Sequence, residues 1–178
     1  MILLFRIISD ENQEFFRDLV ADGTDTFLDL HHTLQENLGY DPTQLASFFI
    51  TGDMWEKRQE ITLIDMMQDP GKEAITMGEA TLEEYISKVN QRMIYVFDFF
   101  SERAFFMELI EVSEQTSPRE TPFIANARGE APPQLALDLL MDDSGPDEGF
   151  MDPDGEPGDL RIDDLDPDMF EDGMPEDD

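Results

Sequence analysis

The chain of 178 residues has no cysteine, a single tryptophan, two histidines and no apolar run of membrane-spanning length. Without thiols, disulfides, thiolate nucleophiles, cysteine-ligated zinc and iron–sulfur clusters are excluded together. Basic side chains are scarce as well: 11 Lys and Arg stand against 43 Asp and Glu, a formal net charge of −32. A surplus of that size repels polyanions, so direct nucleic-acid binding and attraction to an anionic membrane surface are both disfavoured. No basic stretch precedes an apolar run at the N-terminus, and nothing reaches the roughly 18 consecutive apolar residues of a spanning helix. Neither export nor membrane spanning is expected, and the reading is a cytoplasmic protein. What the chain does have is apolar bulk: 40% hydrophobic residues, including 14 Phe, are enough for the core of one domain.

The charge is not evenly spread. Residues 1–128 hold 24 acidic and 10 basic side chains, a net of −14, whereas residues 129–178 hold 19 acids and one base, Arg161, a net of −18. The second segment also contains runs such as Asp152-Pro153-Asp154-Gly155, which break helix and strand alike. High charge with few branched or aromatic side chains leaves little apolar area to offset the entropy of ordering. We therefore expect a folded domain over 1–128 and an acidic, mostly irregular extension over 129–178, partly docked on the domain. Two stretches within it have ordering potential: a short helix over 133–141, opened by Pro133, and an apolar stripe of Ile162, Leu165, Met169 and Phe170.

In the first segment, residues 2–8 are apolar and β-branched and predict a strand. A polar stretch follows. Asp22-Gly23-Thr24-Asp25 then supplies cap chemistry for a helix whose Phe27, Leu30, His31, Leu34 and Leu38 recur at helical spacing, with Gly39 as its stop. Residues 46–51 and 54–57 predict a hairpin around Gly52-Asp53. Residues 64–80 form a long connection with a turn at Asp69-Pro70-Gly71, and Thr81 with Glu84 makes a capping box for a short second helix carrying Leu82, Tyr85, Ile86 and Val89. The aromatic runs 93–100 and 104–112, separated by Ser101-Glu102-Arg103, predict an antiparallel hairpin. The order reads as α+β: a largely antiparallel sheet of about five strands with two helices on one face.

Chemistry-bearing constellations are few. His31 and His32 are adjacent on one helix, about 100° apart around its axis, so they cannot both face one metal ion. His31 shares a face with Phe27, Leu34 and Leu38, which suits a packed histidine at the core edge. No Gly-x-Ser-x-Gly elbow or phosphate-cradling glycine loop is present. Asp98, set among Tyr95, Phe97, Phe99 and Phe100, is either a desolvated acid or a residue that lies on the solvated face or caps the turn at Ser101. Asp152, Asp154, Glu156, Asp159 and Asp163 approach the spacing of a calcium loop, but Pro157 stands where that loop needs glycine. No catalytic residue, metal site or cofactor is expected.

Several of these residues together resemble the plasmid-encoded ORF-3-like family first catalogued from an Ri plasmid, also filed as insertion-element passenger proteins with a resolvase label. The family's helix carries Leu-His, as do Leu30 and His31 here. Its Gly-Trp segment is similar to Gly39-Tyr40, and its His-Leu-x-x-Phe to Gln44-Leu45-Ala46-Ser47-Phe48. Its central Tyr-x-Tyr-Asp-Phe-Gly-Asp signature looks like Tyr95-Val96-Phe97-Asp98-Phe99-Phe100-Ser101, which keeps the Asp-Phe and loses the Gly-Asp and the later Trp and His. Its Pro-Pro segment resembles Pro132-Pro133, and its terminal Asp-Pro-x-x-Phe resembles residues 166–170. The resemblance implies an α+β fold and a Pro-Pro segment that folds back onto the domain. It implies little about activity, and the family's paired His and Trp are missing.

The resulting expectation is a non-catalytic interaction domain whose acidic end binds or modulates a basic protein partner. The alternative is a mobile-element-associated protein acting in DNA transactions through acidic mimicry of DNA.

Overall fold

The computed structural model describes residues 1–66, 71 and 73–136. The acidic stripe at 162–170, the calcium-like spacing at 152–163, most of the helix expected over 133–141 and most of the Asp69-Pro70-Gly71 turn lie outside them. The described part belongs to a compact unit, Met1–Asp143.

Its elements run β1 (Ile2–Ser9), β2 (Phe16–Asp22), α1 (Phe27–Leu38), β3 (Ser47–Thr51), β4 (Lys57–Thr62), α2 (Leu82–Tyr85), β5 (Arg92–Asp98), β6 (Arg103–Ser113) and β7 (Phe123–Arg128). All seven strands form one antiparallel sheet in the order β4-β3-β5-β6-β1-β2-β7. The class is α+β, but the sheet has seven strands rather than the five expected from sequence. The two extra strands, β2 and β7, flank β1 on the side away from β6.

Physical reasons account for both omissions. β2 reads Phe-Arg-Asp-Leu-Val-Ala-Asp, and an Arg-Asp pair inside a short run imitates a loop. In the fold both charges are buried and satisfied: Arg17 donates to Asn37 Oδ1 at 2.7 Å and to the carbonyls of Phe16, Arg128 and Gly129, and Asp18 accepts from Arg6. β7 is a short edge strand whose last four residues are exposed, so it has little alternating pattern to detect. The second hairpin strand also begins later than expected, at Lys57. The connection spans Gly52 to Glu56, with Gly52 N donating to the Glu56 carbonyl and Trp55 in the left-handed region at φ 63°.

Alternation along the strands divides the sheet into two faces. Leu3, Phe5, Ile7, Leu19, Phe48, Ile61, Met93, Tyr95, Phe97, Phe105, Met107 and Leu109 point to one side and are buried in a single core. α1 closes that side, with the Phe27 ring against Phe48 at 5.3 Å and against Tyr85 of α2 at 5.8 Å. The cap of α1 is Thr26, one residue past the expected cap cluster, and it makes a reciprocal box with Asp29. Gly39 ends the helix at φ 68°. The capping box at Thr81 and Glu84 opens α2, which buries Leu82, and the chain after it buries Ile86 while Val89 stays exposed.

Candidate functional site

Two polar clusters stand out in the core side of the sheet, and they collect most of the motif residues. The first joins α1 to the centre of the sheet. Helical spacing places His31 and Gln35 one turn apart on the inward face of α1, opposite Tyr95 on β5. The Tyr95 hydroxyl lies 2.8 Å from His31 Nδ1 and accepts from Gln35 Nε2 at 2.5 Å. Burial pushes the His31 imidazole down to about 4, with the neighbouring His32 adding to the effect, so the ring is neutral and Nδ1 shares a hydrogen bond with the tyrosine hydroxyl. Burial likewise raises Tyr95, which stays a neutral phenol. Gln35 Oε1 is buried without a partner among the described residues. Leu30 and Phe48 line the cluster, the Phe48 ring lying 4.7 Å from Tyr95.

At 0–3% exposure, His31, Gln35 and Tyr95 admit no substrate. Their arrangement pins the helix to the sheet through polar groups that a wrong helix register would leave unpaired. Asp98 is not in this cluster.

Asp98 belongs to the second one, where residues 129–136 cross the end of the sheet as a strap. Tyr40, directly after the helix stop Gly39, stacks near Phe97 and Phe105 and donates its hydroxyl to the Pro132 carbonyl. Gln134 clasps the Asp41 backbone from both sides, accepting at 2.7 Å and donating at 3.0 Å. Arg103 forms a two-pronged pair with Glu11 at 2.8 Å and 2.8 Å, and donates to the carbonyls of Pro133 and Gln134. Asp98, 3% exposed, receives Ala136 N at 3.2 Å, Arg103 at 3.5 Å and the turn amide of Ser101 at 3.3 Å. It therefore serves the turn and the strap together. Glu11 hydrogen bonding raises Arg103 further, while burial raises Tyr40.

Gly129 starts the strap at φ 71°, and a Cβ there would sit 2.7 Å from the Glu14 backbone, so only glycine fits. Sequence reasoning named Tyr40, Phe97, Asp98, Pro132 and Pro133, which the fold brings together, but not Arg103 and Glu11. Those two lie 92 residues apart, and no local pattern links them. Leu45 and Phe99 are half-buried beside the clusters and make no polar contact with either. Among the described residues no three His, Asp or Glu side chains are grouped to hold a metal ion, and no helix is long and apolar enough to cross a membrane.

Fold and site together define a class of protein: an α+β domain in which one antiparallel sheet carries its helices on one face and is fastened at one end by a Pro-Pro strap. The chain belongs to the plasmid pRiA4b ORF-3-like protein family, whose model matches residues 4–135 and so takes in the strap. No curated protein matches. Among solved structures, a protein of unknown function from Methanosarcina mazei Go1, MM3350, is similar with a TM-score of 0.57 and 17% identity, covering 71% of this chain and 68% of its own. That likeness concerns the fold alone.

Proposed function

We propose that this protein is a non-catalytic interaction domain that binds a basic protein partner, with the acidic C-terminal region strengthening the binding. The observation that supports this reading is how the few basic side chains are used. Arg6 pairs with Asp18, Arg58 with Glu56, Arg92 with Glu108 and Arg103 with Glu11, while Arg17 is buried against carbonyls. Within 1–128, 24 acids face 10 bases, so most carboxylates have no cation to offset them and the outward field has one sign. The polar clusters of the core are sealed or spent on the strap, which favours a binding role over chemistry.

The test is interferometry on an immobilised basic DNA-binding protein, comparing the full chain with a version ending at Asp143, the limit of the compact unit. Capture of the full chain that weakens with salt, and weaker capture of the shortened chain, is expected. Equal capture of both removes the role of the acidic end, and no capture of either at low salt overturns the reading. Competition by duplex DNA for the same surface of the immobilised protein would favour the DNA-mimicking form of the activity.

A further inference from the structure

The β3–β4 end of the sheet holds a cavity on the side away from the helices. Alternation turns Phe48 into the core and its neighbour Phe49 to the other side, and Glu60, the backbone partner of Phe49, emerges beside it. Ser47 Oγ fixes one oxygen of that carboxylate at 2.9 Å. Past Glu60 the chain leaves β4 and later closes on the residue it left: Thr62 N donates to the Ile75 carbonyl at 2.9 Å, and Met77 N to the Thr62 carbonyl at 2.8 Å. This closure returns Glu73 and Ile75 to the wall that Glu60 begins, and Phe99, one residue past the end of β5, supplies a second ring. The space is about 490 Å³, within the roughly 300–1,000 Å³ of small-ligand sites.

The lining combines phenyl rings with charge. Phe49 and Phe99 are half-buried, Glu60 and Glu73 are exposed, and neither of these carboxylates meets a cation among the described residues. Asp65 adds a third carboxylate. Two cations line the same space. Arg58 is spent on Glu56 at 2.6 Å, outside the lining, whereas Lys57 sets its ammonium 4.5 Å from the centre of the Phe49 ring.

These features select a ligand. Three carboxylates against one unspent cation repel an anion. An uncharged apolar guest would strip water from the carboxylates and return nothing for it. An alkylammonium satisfies both parts of the lining, its stem lying on the rings and its head among the carboxylates. Lys57 is an example within the chain itself, since the Phe49 ring already seats its ammonium.

We propose that this cavity binds a lysine side chain of the basic partner, whose ammonium takes the Phe49 ring in place of Lys57 and pairs with Glu60 and Glu73. It rests on the reading of the protein as a binder of basic proteins, and adds where and by which side chain the partner is held. The experiment titrates the isotope-labelled full chain with the capped peptide Ala-Ala-Lys-Ala-Ala, read by amide shifts in nuclear magnetic resonance, against the same peptide with norleucine in place of lysine. Saturating shifts at Phe49, Glu60, Ile75 and Phe99 are expected with the lysine peptide and none with norleucine. Phe49→Leu removes the ring without changing charge and should weaken binding about threefold, its dispersed spectrum verifying the fold. Glu73→Gln should weaken it as well, while Glu36→Gln, the same change of charge on an exposed position of α1, should not. Lys57→Gln vacates the ring and should tighten binding about threefold. Absence of saturating shifts at these amides, equal shifts with the norleucine peptide, or wild-type affinity in a folded Phe49→Leu or Glu73→Gln chain overturns the proposal. Loss of the shifts while the immobilised basic protein still captures the chain overturns the cavity and leaves the interaction reading in place. Shifts that persist without such capture support the cavity and count against that reading.

Discussion

A single imidazole ties the stability of this fold to pH. His31 is held neutral by burial, down to about 4, against about 6.5 for an exposed histidine. Between those values the unfolded chain binds a proton that the folded chain does not, so folded-state stability falls as pH drops through this window. The contribution is whole above about pH 6.5 and lost below about pH 4, on the order of 3 kcal/mol across the interval. His31→Asn should be less stable than the wild type at pH 7.5, because Tyr95 loses its partner, and the gap should close toward pH 4. Urea unfolding at a series of pH values measures it, and a gap independent of pH would show that His31 titrates normally.

Among the elements, the strap is the one whose fit can be broken at one atom. Gly39 and Gly129 both have positive φ, 68° and 71°, but the space around them differs. A Cβ at Gly39 meets nothing within 4 Å, while one at Gly129 lands 2.7 Å from the carbonyl of Glu14. Gly39→Ala should cost about 1 kcal/mol, the usual conformational charge for leaving glycine at a helix stop. Gly129→Ala should cost several times that and increase amide exchange at Asp41 and Ala136, whose N–H groups the strap interactions protect. Equal losses for the two variants, or unchanged exchange, would mean the strap does not depend on that passage.

The strap also marks how far a local pattern reaches. Pro132 and Pro133 are conspicuous in the sequence, as is the aromatic run around Asp98, yet nothing adjacent to them announces Arg103 as the side chain that holds both to Glu11. β2 escaped notice for the same reason. Its Arg17 and Asp18 look solvated until Asn37, Arg6 and the carbonyls of Arg128 and Gly129 are brought to them from elsewhere in the chain.

For the whole molecule, net charge is the dominant global property. Self-repulsion at −32 opposes compaction, and the ion pairs seen among the described residues, most of them part-exposed, work against it. Raising salt from about 0.01 M to about 0.15 M shortens the screening length from about 30 Å to about 8 Å. The melting temperature should climb by several degrees over that range in scanning calorimetry. A flat or falling profile would show that the ion pairs outweigh the repulsion.

By itself the sequence determined the class of fold, the stop of the first helix and the start of the second, the central hairpin and the uneven distribution of charge, because periodicity, capping and composition act over a few residues. Only the tertiary structure decided that two more strands complete the sheet, that Tyr95 receives His31 and Gln35, and that Tyr40, Asp98 and Arg103 converge on one strap. It alone aligned Arg92, Glu108, Arg6 and Asp18 into a row, since cross-strand order is set by pairing between segments up to about a hundred residues apart, where no local rule operates.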